Sequence, residues 1–228
     1  MLVNSGKIFV VAAHPDDEVL GSGGTIAKAV AAGAEVSVLL LGEGPTSRQS
    51  SSSSSERAHA VDSAQLAAQT LGVANLYYGA LPDNKFDTVP LLDITQLIES
   101  IAEKIQPDLV ITHHSGDLNI DHSITHRAVM TAFRPLPEAR QVTVLGFEVP
   151  SSTEYATPNV MPAFVPNVYV NVSEFLAEKS SALEAYSSEM RTFPHPRSFE
   201  AVEHLARLRG AHCGCDAAEA FVLYRTLF

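Results

Sequence analysis

Two short apolar runs near the start of the chain constrain its fold most. Residues 8–13 (IFVVAA) are uninterrupted in their apolar character, and residues 36–41 (VSVLLL) nearly so. Strands that read this way are covered on both faces and belong to a buried, parallel sheet. Residues 21–32 between them read as a helix rich in small side chains. Strand, helix, strand over so short a stretch is a βαβ unit with a right-handed crossover. The unit recurs as a helix over 56–71 and a short strand over 75–78, then as an amphipathic helix over 91–105 and an apolar strand over 108–112. A further helix begins near Asp121 and ends before Arg134-Pro135. Beyond it come β-rich runs at 142–149 and 165–172, and helices over 173–186 and 199–210. No repeat and no linker divides the chain. The expectation is one α/β domain over residues 1–228: three-layer and Rossmann-like, with a mostly parallel sheet and a C-terminal β/α extension. A chain of 228 residues can bury a core of that size.

Charge and composition remove several function classes. The formal net charge of −11 speaks against nucleic acid or an anionic membrane surface as partner, because both need a basic footprint. No apolar stretch reaches the roughly 18 residues that a membrane span needs. The first strand passes directly into acidic residues, unlike a signal peptide with its cleavage site. Cys213 and Cys215 cannot build a disulfide framework, so a reducing cytoplasm is the expected location. Whether the chain forms a homo-oligomer is left open.

The chemistry sits at strand ends. His14-Pro15-Asp16-Asp17-Glu18 follows the first strand, and residues 113–122 (HHSGDLNIDH) follow the fourth. In a doubly wound sheet, loops at the carboxyl ends of central strands face each other across the crevice where ligands bind. Imidazoles from both loops and a carboxylate from the first make a two-His, one-carboxylate set. Three protein ligands with an open fourth position describe a catalytic zinc centre. Non-haem iron or a purely structural ion compete for the same spacing. A second carboxylate nearby serves as the proton acceptor, and adjacent Asp16 and Asp17 can divide the roles if their side chains leave an extended backbone in different directions.

The segment over 11–24, VAAHPDDEVLGSGG, resembles the signature of the LmbE-like (PIG-L) de-N-acetylase family. The similarity extends along most of the chain, through Gly42-Glu43-Gly44 with Arg48, the Pro82-Asp83-Asn84 turn, and residues 117–122. The resemblance implies a Rossmann-like fold and a zinc-activated water that attacks the N-acetyl group of a small glucosamine derivative. It implies His14, Asp17 and His122 as zinc ligands, one ion per chain, and Asp16 as general base. It also suggests Arg48 as a contact to the substrate; Asp83, in a turn after the third strand, is a candidate acceptor for a sugar hydroxyl, although Pro-Asp-Asn favours a turn regardless of function. Many members carry His-Pro-Asp-His where this chain has Asn119-Ile120-Asp121-His122. Asn119 can donate a hydrogen bond to an oxyanion, but it cannot act as an acid near neutral pH. His195, set between two prolines in FPHPRS, is the candidate for the missing imidazole.

Asp121 is expected to tune the site from behind the ligands. Strand alternation sends only one of His113 and His114 toward the cleft. His126 shares a helix face with His122, and its role stays open. Residues 148–153 (EVPSST) are expected to line the cleft, and the serine run over 50–55 is a loop or a lid. Two rival motifs are weak. Residues 21–24 (GSGG) lack dinucleotide spacing and follow acidic residues that would repel a pyrophosphate. His212-Cys213-Gly214-Cys215 lacks a second ligand pair. Alternatives from other classes are a non-catalytic metal- or sugar-binding relative and a nucleotide-dependent oxidoreductase.

Overall fold

The computed structural model describes residues 6–42, 54–137 and 140–227. The chain runs β1 (Lys7–Ala12), α1 (Asp17–Ala31), β2 (Glu35–Gly42), α2 (Ser54–Leu71), β3 (Asn75–Leu81), α3 (Leu91–Ile105), β4 (Leu109–His113) and α4 (Ile120–Ala132). It continues with β5 (Thr143–Phe147), β6 (Val168–Asn171), α5 (Leu176–Glu184), α6 (Phe199–Cys213) and β7 (Ala218–Arg225). The described strands form a seven-stranded sheet in the order β3-β2-β1-β4-β5-β7-β6. β1 to β5 pair in parallel, whereas β7 runs antiparallel to both β5 and β6. The mostly parallel Rossmann-like sheet expected from the sequence is present.

Alternation along β1 produces the three layers. Ile8, Val10 and Ala12 join one hydrophobic cluster, and Phe9, Val11 and Ala13 join the other. The first cluster takes in Val19, Leu20 and Ile26 of α1, Ala64 and Ala67 of α2, Leu183 of α5 and Val202 of α6. The second takes in Ile94, Ile98 and Ile101 of α3 with Ile124 and Val129 of α4. The spacing of the α3 isoleucines is the 3.6-residue period of a helix with one buried face.

Two differences from the sequence expectations bear on function. Helix α1 starts at Asp17, not Gly21, and bends at Ser22 (φ −147°, ψ 15°). Asp17 and Glu18 of the HPDDE segment therefore lie in its first turn, with Asp16 just before it. β7 was not anticipated, and it fills the gap between β5 and β6. The glycines of residues 21–24 serve packing, as the missing dinucleotide spacing suggested. A Cβ on Gly21 would overlap the ring of Phe147, and one on Gly24 would lie 2.9 Å from Val172 Cβ. Gly21→Ala is accordingly expected to lower stability by about 1–3 kcal/mol in chemical denaturation, despite alanine's better helix propensity. An unchanged or raised midpoint would show that Phe147 can move aside.

Candidate active site

The strand order reverses between β1 and β4, the point where open α/β sheets bind ligands. The turn after β1 is sharp. Asp16 has a positive φ of 105° and its carbonyl accepts from Val19 N (3.1 Å) and Leu20 N (2.8 Å). Asp16 thus closes the turn while Asp17 and Glu18 open the helix. The two aspartates are separated by this corner, not by an extended backbone as the sequence suggested. After β4, the loop leads into α4, capped by Asn119, whose side chain accepts from Asp121 N at 2.9 Å.

The two loops bring His14, Asp17 and His122 together, with one ligand atom from each lying within 4.8 Å of the others. Asp17 Oδ2 is 3.3 Å from His14 Nδ1 and 3.2 Å from His122 Nε2. Asp17 Oδ1 and His122 Nε2 are buried and make no hydrogen bond among the described residues. Buried polar atoms are nearly always satisfied. Two imidazoles and a carboxylate with orphaned donor atoms therefore fit a divalent metal ion.

Carboxylates stand behind both histidines, an arrangement that orients ligand imidazoles and raises their basicity. His14 Nε2 is 2.9 Å from Asp121 Oδ2 and 3.2 Å from Asp83 Oδ1. Asp121 is fixed in turn by Phe86 N, 3.0 Å from its Oδ1. His122 Nδ1 is 3.1 Å from Asp117 Oδ1. Asp117 accepts hydrogen bonds from Ser152 Oγ and from Thr153 Oγ1 (2.6 Å). The sequence placed residues 148–153 near the cleft without a reason; these two hydroxyls give one. His14, Asp83 and Asp121 form a second group with metal-ligand spacing, but it shares His14 with the first. Asp83 is buried against that ring rather than open to solvent.

Electrostatics follow from this crowding. Burial lowers the pKa of His14, but hydrogen bonds to Asp121 and Asp17 outweigh it and lift the value to about 10. His122 is likewise pulled down by burial and lifted by Asp17 and Asp117, to about 9. Asp17 is raised by burial, yet the neighbouring histidines hold it well below the usual carboxylate range. Asp16 differs. Burial pushes it up to about 7 against the opposing charge of Arg197. His113 is held neutral by burial and by the charge of His122, consistent with its Nε2 accepting Ala13 N at 2.8 Å.

The other sequence candidates distribute as follows. His113 stacks on His122 at 4.0 Å between ring centroids, and His114 turns away toward Tyr224 and Pro162 O. One of the pair faces the cleft, as alternation required. His126 lies behind β4, with its Nδ1 3.0 Å from His113 O. Asn119 uses its oxygen as the helix cap and one of its two amide hydrogens on Asn84 Oδ1 (3.3 Å), so the second is the donor it could offer an oxyanion. His195 is exposed, and its Nδ1 accepts Arg197 N at 3.0 Å. The side chain from that loop that reaches the aspartates is Arg197, with Nη1 2.7 Å from Asp16 Oδ2. Sequence reasoning passed over Arg197 because nothing in local spacing links it to Asp16. Cys213 and Cys215 have sulfurs 3.5 Å apart, and the described residues bring no third metal ligand to them. Arg48, and residues 50–53 of the serine run, lie outside the described residues.

The model of the PIG-L family, described as GlcNAc-PI de-N-acetylase, matches residues 9–133, more than half of the chain. The chain belongs to the PIG-L family. The match spans β1 to α4 and so contains His14, Asp16, Asp17 and His122. A probable N-acetyl-alpha-D-glucosaminyl L-malate deacetylase 2 of Bacillus anthracis is 25% identical over 195 residues, covering 83% of this chain and 84% of that protein. Among solved structures, the N,N'-diacetylchitobiose deacetylase from Pyrococcus horikoshii superposes with a TM-score of 0.77 at 22% identity, covering 96% of this chain and 83% of that one. GalB, the 4-carboxy-2-hydroxymuconate hydratase of Pseudomonas putida KT2440, superposes with a TM-score of 0.76 at 20% identity, covering 98% of each. One fold thus carries different chemistries, and the side chains of the site must decide between them. Among the described residues, no helix is long and apolar enough to cross a membrane.

Proposed function

We propose that this chain is a zinc-dependent hydrolase, built on a single LmbE-like domain, that removes the acetyl group from a small N-acetylated amino sugar of the GlcNAc type. The observation that carries the reading is the set of half-buried His14 with buried Asp17 and His122, with the carboxylate of Asp16 outside that group, at the β1/β4 crevice of a PIG-L family chain. Bound by those three residues, zinc supplies Lewis acidity: it lowers the pKa of water to about 7 and polarises a carbonyl. The protein does the rest. Asp16 accepts a proton from the attacking water, whose oxygen bonds to the acetyl carbon. The C–N bond then breaks as the nitrogen takes up that proton, and the free amine and acetic acid leave, the acid ionising to acetate in solvent. A carboxylate with a pKa near 7 is suited to both halves of this transfer. Asn119 donates to the oxyanion with the amide hydrogen not used on Asn84. Arg48 is the candidate contact to the sugar hydroxyls, whereas Asp83 is engaged by His14 Nε2 at 3.2 Å. His195 is the second candidate for delivering the proton to the amine, approached from the loop that carries Arg197.

The test is acetate release from a panel of N-acetylglucosamine derivatives by zinc-loaded and chelator-treated protein. Release that needs the metal supports the reading. Sugar binding without release would point instead to a non-catalytic relative. Asp117→Asn adds an independent check on the ligands. Weakening the carboxylate behind His122 is expected to reduce zinc affinity roughly 10- to 100-fold in a chelator competition. An unchanged affinity would mean that His122 is not a ligand.

A further inference from the structure

Asp16 is held in a conformation that residues with a Cβ rarely adopt. A positive φ is unusual for a residue with a Cβ and persists where the surroundings over-determine it. Its amide donates to Glu18 Oε2 (3.1 Å), and its carbonyl closes the first turn of α1. Those contacts fix the backbone. The side chain has a separate restraint. Arg197 Nη1 lies 2.7 Å from Asp16 Oδ2, while Nε of the same guanidinium donates to Ser151 Oγ at 2.7 Å and lies 3.4 Å from Pro150 O.

Arg197 is itself rigidly placed. Its N–H donates to His195 Nδ1, its carbonyl accepts from Arg191 N at 3.1 Å, and the next residue, Ser198, caps α6 through Ala201 N. The planar guanidinium thus spans three elements: the turn after β1, the segment after β5, and the start of α6. A charge-assisted contact of this kind is short and directional. It occupies one oxygen of Asp16 and leaves the other for the proton. The ion pair is largely shielded, with Asp16 at 3% and Arg197 at 17% side-chain exposure.

We infer that Arg197 is a positioning residue, which holds Asp16 Oδ2 so that Oδ1 faces the reacting water. This rests on the base role proposed for Asp16. A misplacement of about 1 Å in a reacting group can cost roughly 10²-fold in rate. That is the loss expected for the base when its tether is cut.

The experiment compares zinc-loaded wild type, Arg197→Ala, Arg197→Lys, Asp16→Ala and the Arg197→Ala/Asp16→Ala double variant on a substrate that wild type cleaves. Arg197→Ala should lower kcat by roughly 10²-fold with KM and zinc affinity little changed. Added guanidinium ion should restore part of the rate to Arg197→Ala and none to Asp16→Ala. The double variant should be no slower than Asp16→Ala alone. Arg197→Lys should fall between wild type and Arg197→Ala. A loss carried by KM would assign Arg197 to substrate binding, and a loss carried by zinc affinity or melting temperature would make it structural; either overturns the inference. If Asp16→Ala keeps full activity, the base reading fails on its own account. A second readout needs no substrate. In crystals of Arg197→Met, the Asp16 carboxylate should rotate or lose order, and an unmoved carboxylate would refute the positioning role.

Discussion

Asp16→Asn is expected to lower kcat/KM for deacetylation by roughly 10²- to 10⁴-fold, or about 3–5 kcal/mol of barrier, while zinc affinity stays within a few-fold of wild type. The substitution keeps the shape of the side chain, and its oxygen can still accept from Arg197 Nη1. It removes only the capacity to take a proton. Because Asp16 is not one of the three residues grouped for the metal, the two measurements separate. Equal losses of activity and zinc would make Asp16 a ligand. Full activity would remove it from proton transfer altogether. The pH dependence has a defined sign. Burial lifts the Asp16 pKa to about 7, and a cation bound next to it pulls the value down. The base works deprotonated. The acid limb of kcat/KM is therefore expected at or below about pH 7, with the rate falling as the pH drops through it. In Asp16→Asn that limb should be lost. An acid limb that persisted unchanged in the variant would belong to another group.

What the sequence disclosed and what it hid follow from the range of the interactions. The buried strands β1 and β2 announce themselves through apolar runs, and the crossover rule then places the ends of β1 and β4 side by side. That imidazoles and a carboxylate from these two loops would meet was legible in this way, whereas the particular set of His14, Asp17 and His122 came from the family resemblance. That Asp17 joins the two histidines while Asp16 stands outside the group was expected on a different ground. A tight turn at positive φ produces it, and no extended-strand argument could have shown that. Arg197 is 181 residues from Asp16, and Ser152 and Thr153 are 35 and 36 residues from Asp117. Contacts of that kind depend on where α6 and the segment after β5 dock, which local periodicity does not encode. The proline-flanked His195 drew attention to that loop, yet the side chain that reaches Asp16 is Arg197, two positions on. β7 escaped for a related reason. Its sequence, AEAFVLYR, puts a glutamate on the buried side, where a strand pattern calls for an apolar residue.

That glutamate supports the prediction with the largest effect on stability: Lys179→Met should cost roughly 3–5 kcal/mol. The bend of α1 at Ser22 interrupts its hydrogen-bond ladder and frees backbone groups on both sides of the break. Glu219 answers the donors, with Oε1 3.0 Å from Gly24 N and Oε2 2.7 Å from Thr25 N. Lys179 answers on the other side, donating to Leu20 O at 2.8 Å and to Glu219 Oε1 at 2.6 Å. Both side chains are only 5% exposed. One ion pair, drawn from α5 and β7, thus stitches the C-terminal extension to the helix whose first residue is Asp17. Methionine fills much of the lysine volume but leaves a buried carboxylate without its cation and Leu20 O without its donor. For a chain of this length, such a cost corresponds to a melting temperature lower by roughly 10 °C. The denaturation slope should stay unchanged if unfolding remains two-state. Lys179→Met combined with Glu219→Gln should be less destabilised than the sum of the single variants, since the second change removes the uncompensated charge. Simple additivity would mean that the two side chains act independently. A loss below about 1 kcal/mol for Lys179→Met would place the pair among solvated ion pairs, with the bend in α1 held by packing against Phe147 and Val172 instead.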